Sequence, residues 1–242
     1  MTTVPNANTG TRLESCVDYT DLRKEIEYGD VESMCADAIT FGFGSVVVPS
    51  GLVRRAASVL KNSEPVVGSV LSYPFGTQEA IVKAREAEVA AGHGAAALDL
   101  VPHFGAILAE NWDSVHAELS AVRSAAGDLL LSLVLEIGRL GTFQIRKLCA
   151  MAANCGYVRV VNTVGFRLVS TDPEAEGRAS AETIRMLSGL VDGSLEVKAV
   201  GGITSRSQIE QLRASGADRF AVDAGAKTIR NGSWQAPSMG DA

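Results

Sequence analysis

Eight short apolar runs, each followed by a stretch with helical spacing, predict an α/β protein: a closed, single-domain (β/α)8 TIM barrel. Two further observations support this class. The chain has 242 residues, the size of one such barrel, and no glycine-rich dinucleotide fingerprint follows its first strand, as the competing doubly wound open sheet would carry. The pattern is anchored by Leu195 to Ser205, where a β-branched strand containing Lys198 runs into the Gly201-Gly202 turn. Thr204-Ser205 then opens a helix over Gln208 to Ser215.

Taken in order, residues 1–10 are a polar leader, 11–230 the barrel and 231–242 a tail rich in small and polar residues. Leu13 to Thr20 reads as the first strand, and Asp21 through Ile39 carries Leu22, Ile26, Val31, Met34, Cys35 and Ala38 at helical spacing. Ser45 to Val48 is the second strand, Gly51 to Leu60 a helix, Val66 to Leu71 the third strand and Thr77 to Ala91 the next helix. Ala95 to Val101 is the fourth strand and Ile107 to Ala125 its helix. Leu129 to Leu135 is the fifth, followed by a helix from Thr142, a plausible cap, to Asn154. Tyr157 to Thr163, Leu195 to Val200 and Arg219 to Asp223 complete the set, with a helix over Ser180 to Val191. Arg167 to Ala179 is the one long irregular segment, either a substrate-covering loop or a surface insertion.

A net charge of −6 argues against nucleic acid or an anionic membrane as the main partner and leaves a small-molecule substrate. Cys16, Cys35, Cys149 and Cys155 form no CxxC pair and no zinc pattern with the three histidines, so no metal or other cofactor is expected. The cysteines read as reduced core residues. With no signal-type leader and no apolar run long enough to span a bilayer, the reading is a cytoplasmic protein.

In a parallel barrel the active site lies at the C-terminal ends of the strands, which selects Asp18, Thr20, Asp99, Glu136, Asn162, Thr163, Lys198 and Asp223. A desolvated lysine loses proton affinity and becomes a nucleophile or acid–base group; the alternative is an amine that reaches a carboxylate at the rim. Asp99, in an apolar strand, needs a cation or a bound water, and Lys198 is its natural partner. Asp18 and Glu136 could equally cap a following helix. Gly201, Gly202 and Gly225 stand where backbone amides hold a phosphate in many barrels.

With those residues in place, the chain resembles the deoxyribose-phosphate aldolase family of class I aldolases along nearly its whole length. Val17-Asp18-Tyr19-Thr20-x-Leu22 is similar to the family's opening Asp-His-Thr-x-Leu, and Ala95-Ala-Ala-Leu-Asp99-Leu-Val101 to its Glu-Ile-Asp-Met-Val strand. Val134-Leu-Glu136-x-Gly138-x-Leu140 resembles Ile-x-Glu-x-Gly-x-Leu, and Val197-Lys198-Ala-x-Gly201-Gly202-Ile203 resembles Val-Lys-Ala-Ser-Gly-Gly-Ile. The resemblance implies that Asp99 shuttles protons with a water, that Lys198 is the second lysine perturbing a first, and that the protein is a homodimer or larger homo-oligomer. Where the family carries its imine-forming lysine, this chain has Val161. It has Ser132 where some members have a lysine, and Asp223-Ala224 in place of a serine pair near the phosphate. A carboxylate beside a phosphate dianion is repulsive by about 1–4 kcal/mol.

The expectation is therefore a carbonyl lyase in which Lys198 has become the imine former and the substrate lacks the terminal phosphate. Non-covalent acid–base work by Lys198 and Asp99, in an isomerase, cyclase or dehydratase, comes next, and a catalytically silent binding paralogue third. Arg159, on the same strand face as Val161, either supplies the missing positive field or belongs to a lower layer with its own acidic partner.

Overall fold

Short β-branched runs form strands buried on both faces when helices cover the outside of a closed sheet and other side chains fill the inside. The computed structural model describes residues 12–165 and 178–223 and shows that arrangement. Strands β1 (Val17–Thr20), β2 (Ser45–Val48), β3 (Val66–Leu71), β4 (Ala97–Leu100), β5 (Leu130–Val134), β6 (Arg159–Val161), β7 (Glu196–Ala199) and β8 (Arg219–Asp223) run parallel in sequence order. β8 closes on β1, with Asp18 opposite Ala221 and Thr20 opposite Asp223. The chain is thus the expected (β/α)8 barrel.

The helices are α1 (Tyr28–Phe41), α2 (Val53–Val59), α3 (Ala80–Gly92), α4 (Phe104–Leu108), α5 (Trp112–Ala126), α6 (Thr142–Asn154), α7 (Ala181–Val191) and α8 (Arg206–Ala214). Their apolar stripes, such as Val31, Cys35 and Ala38 of α1 or Ile184 and Leu187 of α7, pack on outward-facing strand residues including Leu98, Leu100, Leu131, Leu133, Val160 and Phe220. No helix among the described residues is long and apolar enough to cross a membrane.

Several element boundaries differ from the sequence reading. The first strand is preceded by a 3-10 turn at Glu14–Cys16. Residues 21–27 are not helical, because the Asp21 carboxylate accepts from the Arg23 backbone N–H at 3.0 Å and holds a turn that competes with helix. The backbone N–H of Glu27 then donates to Asp30 at 3.0 Å and starts α1 at Tyr28. The helix expected over Ile107 to Ala125 is two helices, divided where Asn111 accepts from Ser114 N at 3.2 Å and caps α5. Gly141, not Thr142, is the cap of α6, its N–H donating to Gln144 at 2.9 Å. The leader, all of the Arg167–Ala179 loop before Arg178, Gly225 and the tail lie outside the described residues.

The barrel interior is the feature that positions the site. Because strand residues alternate, Asp18, Asp99, Ser132, Arg159, Lys198 and Arg219 all face inward, each at most 8% exposed. Barrel interiors are ordinarily filled by branched apolar side chains. This one carries a charged layer around a void of about 10 Å³, too small for more than a single water.

Candidate active site

Lys198 rises from the middle of β7 and its Nζ meets two carboxylates, Asp18 Oδ2 and Asp99 Oδ2, each at 2.7 Å. Its side chain is 4% exposed, so the ammonium is almost wholly desolvated. Burial works to lower its pKa, but Asp18 and Asp99 outweigh burial and hold it above the ordinary lysine value. Asp18 has a second cation. Arg219 Nε donates to Asp18 Oδ1 at 3.1 Å, a closer Arg219 Nη2 contact reinforces it, and the Ser45 hydroxyl donates to the same oxygen at 2.6 Å. Burial would raise the Asp18 carboxyl, yet Arg219 and Lys198 together hold it far below the usual carboxylate range. The result is a buried chain of alternating charge: Arg219, Asp18, Lys198, Asp99.

Arg159 lies beneath this chain and bonds Glu196 through Nε at 2.9 Å, so it sits in a lower layer with an acidic partner. Its charge still contributes to the depression of Asp18. Ser132, between Asp99 and Arg159 in the register, is fully buried, and its hydroxyl has no hydrogen-bond partner among the described residues.

Above the charged layer a cavity of about 50 Å³ is bordered by Lys198, Asp99, Thr20, Thr163 and Val161, and by further apolar side chains. It opens into a wide mouth of about 1250 Å³ that Thr20, Gly201, Gly202 and Asp223 help to line. Gly201 and Gly202 turn with φ of 100° and 77°, left-handed conformations that a side chain would strain, and Arg178 lies along that turn. Ser205 caps α8 behind them, accepting from Gln208 N at 3.3 Å.

The predicted residues thus fall into groups. Lys198, Asp99 and Asp18 are in direct contact, and Thr20 and Thr163 border the same cavity. Gly201, Gly202 and Asp223 stand farther out in the mouth, and Gly225 is outside the described residues. Asn162 does not turn into the mouth. Its side-chain amide pairs with the Val200 backbone in both directions, at 3.0 and 2.7 Å, and extends the β6–β7 seam. Glu136, at φ 51°, accepts from the Thr163 hydroxyl at 3.1 Å and from Val164 N, and so braces the loop that carries Thr163.

Two contributors escaped the sequence reading. Arg219 is an arginine at an inward position of a buried strand, the same signal that singled out Lys198. Tyr73 lies two residues beyond β3, just before Pro74, and borders both cavity and mouth; burial, with Asp223 and Glu136 nearby, pushes its hydroxyl up to about 12.

A model of the DeoC/LacD family aldolases matches residues 14–164. Deoxyribose-phosphate aldolase 1 of Cutibacterium acnes is 30% identical over 213 residues, covering 88% of this chain and 94% of its own. The deoxyribose-phosphate aldolase of Lysinibacillus sphaericus is 32% identical over 217 residues, covering 89% and 93%. The tetrameric deoxyribose phosphate aldolase of Aeropyrum pernix superposes with a TM-score of 0.78 at 24% identity, over 90% of each chain, a likeness of fold.

Proposed function

On the premise that this chain belongs to the deoxyribose-phosphate aldolase (DeoC/LacD) family, we propose that it is an aldolase-type lyase on a small enolisable carbonyl compound, with Lys198 acting as an ammonium ion and Asp99 moving protons. The observation that carries this reading is the double salt bridge at Lys198 Nζ, 2.7 Å to each of two carboxylates. An imine needs the lone pair of a neutral amine, and two buried carboxylates stabilise the form that lacks it. The geometry therefore supports the non-covalent reading over imine formation on Lys198.

In this reading the substrate carbonyl oxygen approaches the Lys198 ammonium. For a β-hydroxy carbonyl compound, Asp99 takes the hydroxyl proton, the carbon–carbon bond breaks, and its electron pair moves onto the carbonyl oxygen as an enolate. Lys198 stabilises that charge in a water-poor site, and the proton held by Asp99 returns to the α-carbon. Val161 stands in register with Lys198 and offers neither an amine nor a hydrogen bond, which supports a route without a second lysine. Asp18, held by Arg219 and Ser45, keeps the ammonium in place.

The test follows α-proton exchange in D2O by NMR for acetaldehyde, acetone, hydroxyacetone and pyruvate, together with cleavage of deoxyribose 5-phosphate. Borohydride trapping is read in parallel by intact mass. Exchange is expected with at least one carbonyl compound, falling about 100-fold or more in Lys198→Met and in Asp99→Asn, with no trapped adduct and no family-type cleavage of deoxyribose 5-phosphate. An adduct mapped to Lys198 would replace this reading with the imine route, and undiminished exchange in Lys198→Met would remove the residue from the chemistry.

A further inference from the structure

We propose that the apolar wall of the cavity at Lys198 is a subsite for an unhydroxylated alkyl group, so that the carbonyl compound taken by this site is flanked by hydrocarbon rather than by a polyol. This deepens the function proposed above and rests on it for the position of the carbonyl group.

The inference begins in strand alternation. Asp99, Ser132 and Arg159 are polar inward positions of β4, β5 and β6 in register with one another, and the inward residue one step further along each strand is Val101, Val134 and Val161; Val161 is in register with Lys198, whose own next inward residue is Val200. One step up the barrel, the interior changes from polar side chains to valine on β4, β5 and β6 at the level of Lys198, and on β7 just above it. Val164 and Tyr73 join them, and these six side chains form an apolar cluster separate from the core that binds helices to sheet. They border the cavity of about 50 Å³ whose floor is Lys198 and Asp99. That volume exceeds what a single water needs, so the collar encloses working space rather than a packing defect.

The chemistry of the collar sets what fits. A carbonyl oxygen on the ammonium puts its neighbouring carbons against the valines. A hydroxyl on either carbon would give up its water there, and valine side chains return no hydrogen bond. Of the three uncharged hydroxyls that the described residues place on the border, those of Thr20 and Thr163 already donate to the Asp18 backbone oxygen at 3.0 Å and to Glu136 at 3.1 Å, and the third belongs to Tyr73. Each methyl that replaces a hydroxyl on the substrate should therefore gain about tenfold in affinity at this wall. The polar mouth beyond, with Asp223 and the glycine turn, is left for a more distant polar part of the molecule.

The experiment uses butanone and hydroxyacetone, two ketones of equal size that differ by a methyl for a hydroxyl. Dissociation constants are measured by saturation-transfer NMR on the full chain, which needs no turnover. Butanone should bind about tenfold more tightly, and the ratio should fall by about threefold or more in Val161→Thr and in Val134→Thr, where a hydroxyl replaces a methyl at nearly constant volume. Circular dichroism checks that each variant is folded, and either folded variant suffices. Hydroxyacetone binding as well as butanone, no measurable binding of either, or an unchanged ratio in the folded variants overturns the proposal. Butanone α-proton exchange in the parent chain and in Lys198→Met separates the two claims. A binding preference without exchange leaves the collar and ends the proposed reaction; exchange without the preference does the reverse.

Discussion

Asp18→Asn removes one negative charge from a site where two buried cations, Lys198 and Arg219, converge on the same carboxylate. The asparagine keeps the shape and one acceptor oxygen, so the perturbation is close to a pure change of charge. Breaking a buried ion pair by removing one partner costs about 3–5 kcal/mol, because the remaining charge stays desolvated. For a chain of this size that corresponds to a fall of about 6–20 °C in Tm. Urea denaturation followed by circular dichroism reads the loss directly. The pH dependence supplies a second check. Asp18 titrates below its unfolded value, so its contribution is complete above about pH 4 and disappears as pH falls further. Lys198 titrates above its unfolded value, so its contribution is complete below about pH 10 and fades as pH rises through the folded pKa. Asp18→Asn should flatten the acid limb and, with one of the two carboxylates gone, move the alkaline limb to lower pH. A loss under about 1 kcal/mol with both limbs unchanged would mean that water reaches the charged layer, and the case for a desolvated ammonium would fall.

Two further outcomes follow from pairs outside the reacting centre. Lys83, fully buried, donates from Nζ to Glu118 at 2.9 Å and to the carbonyl oxygens of Gly76 and Val101 at 2.7 and 3.0 Å. Lys83→Met should therefore cost about 3–5 kcal/mol by denaturation, with much of that recovered in Lys83→Met/Glu118→Leu; a single-variant loss near zero would refute the pairing. Asp223→Asn should tighten inorganic phosphate binding about fivefold or more in calorimetry, by relieving repulsion at the mouth of roughly 1 kcal/mol or above. Unchanged affinity would show that the carboxylate is turned away from the glycine turn.

Much of this protein is legible in its residues without coordinates. Eight short apolar runs separated by helical stretches specify eight strands, and eight parallel strands close. A lysine and an aspartate within apolar runs mark Lys198 and Asp99, since a buried charge needs a partner. The period of two along each strand even contains the change from charged to apolar layers, because it depends on local backbone alone. Helix limits are less accessible: the Asp21 turn and the Asn111 cap use side-chain hydrogen bonds that an apolar spacing does not reveal. The charge pairing is decided by tertiary structure. Asp18 and Arg219 are 201 residues apart and meet because closure sets β1 against β8. The same closure brings Asp18 to Lys198, making a second carboxylate partner of a residue that the chain alone leaves open between a strand-end site position and a helix cap. Glu136 is likewise a tertiary outcome, a strand-end carboxylate with a left-handed backbone that takes two donors from the next strand's loop. Inward or outward is a local property of a strand; which inward charges touch depends on strand order and barrel closure, and with that the proton affinity of Lys198.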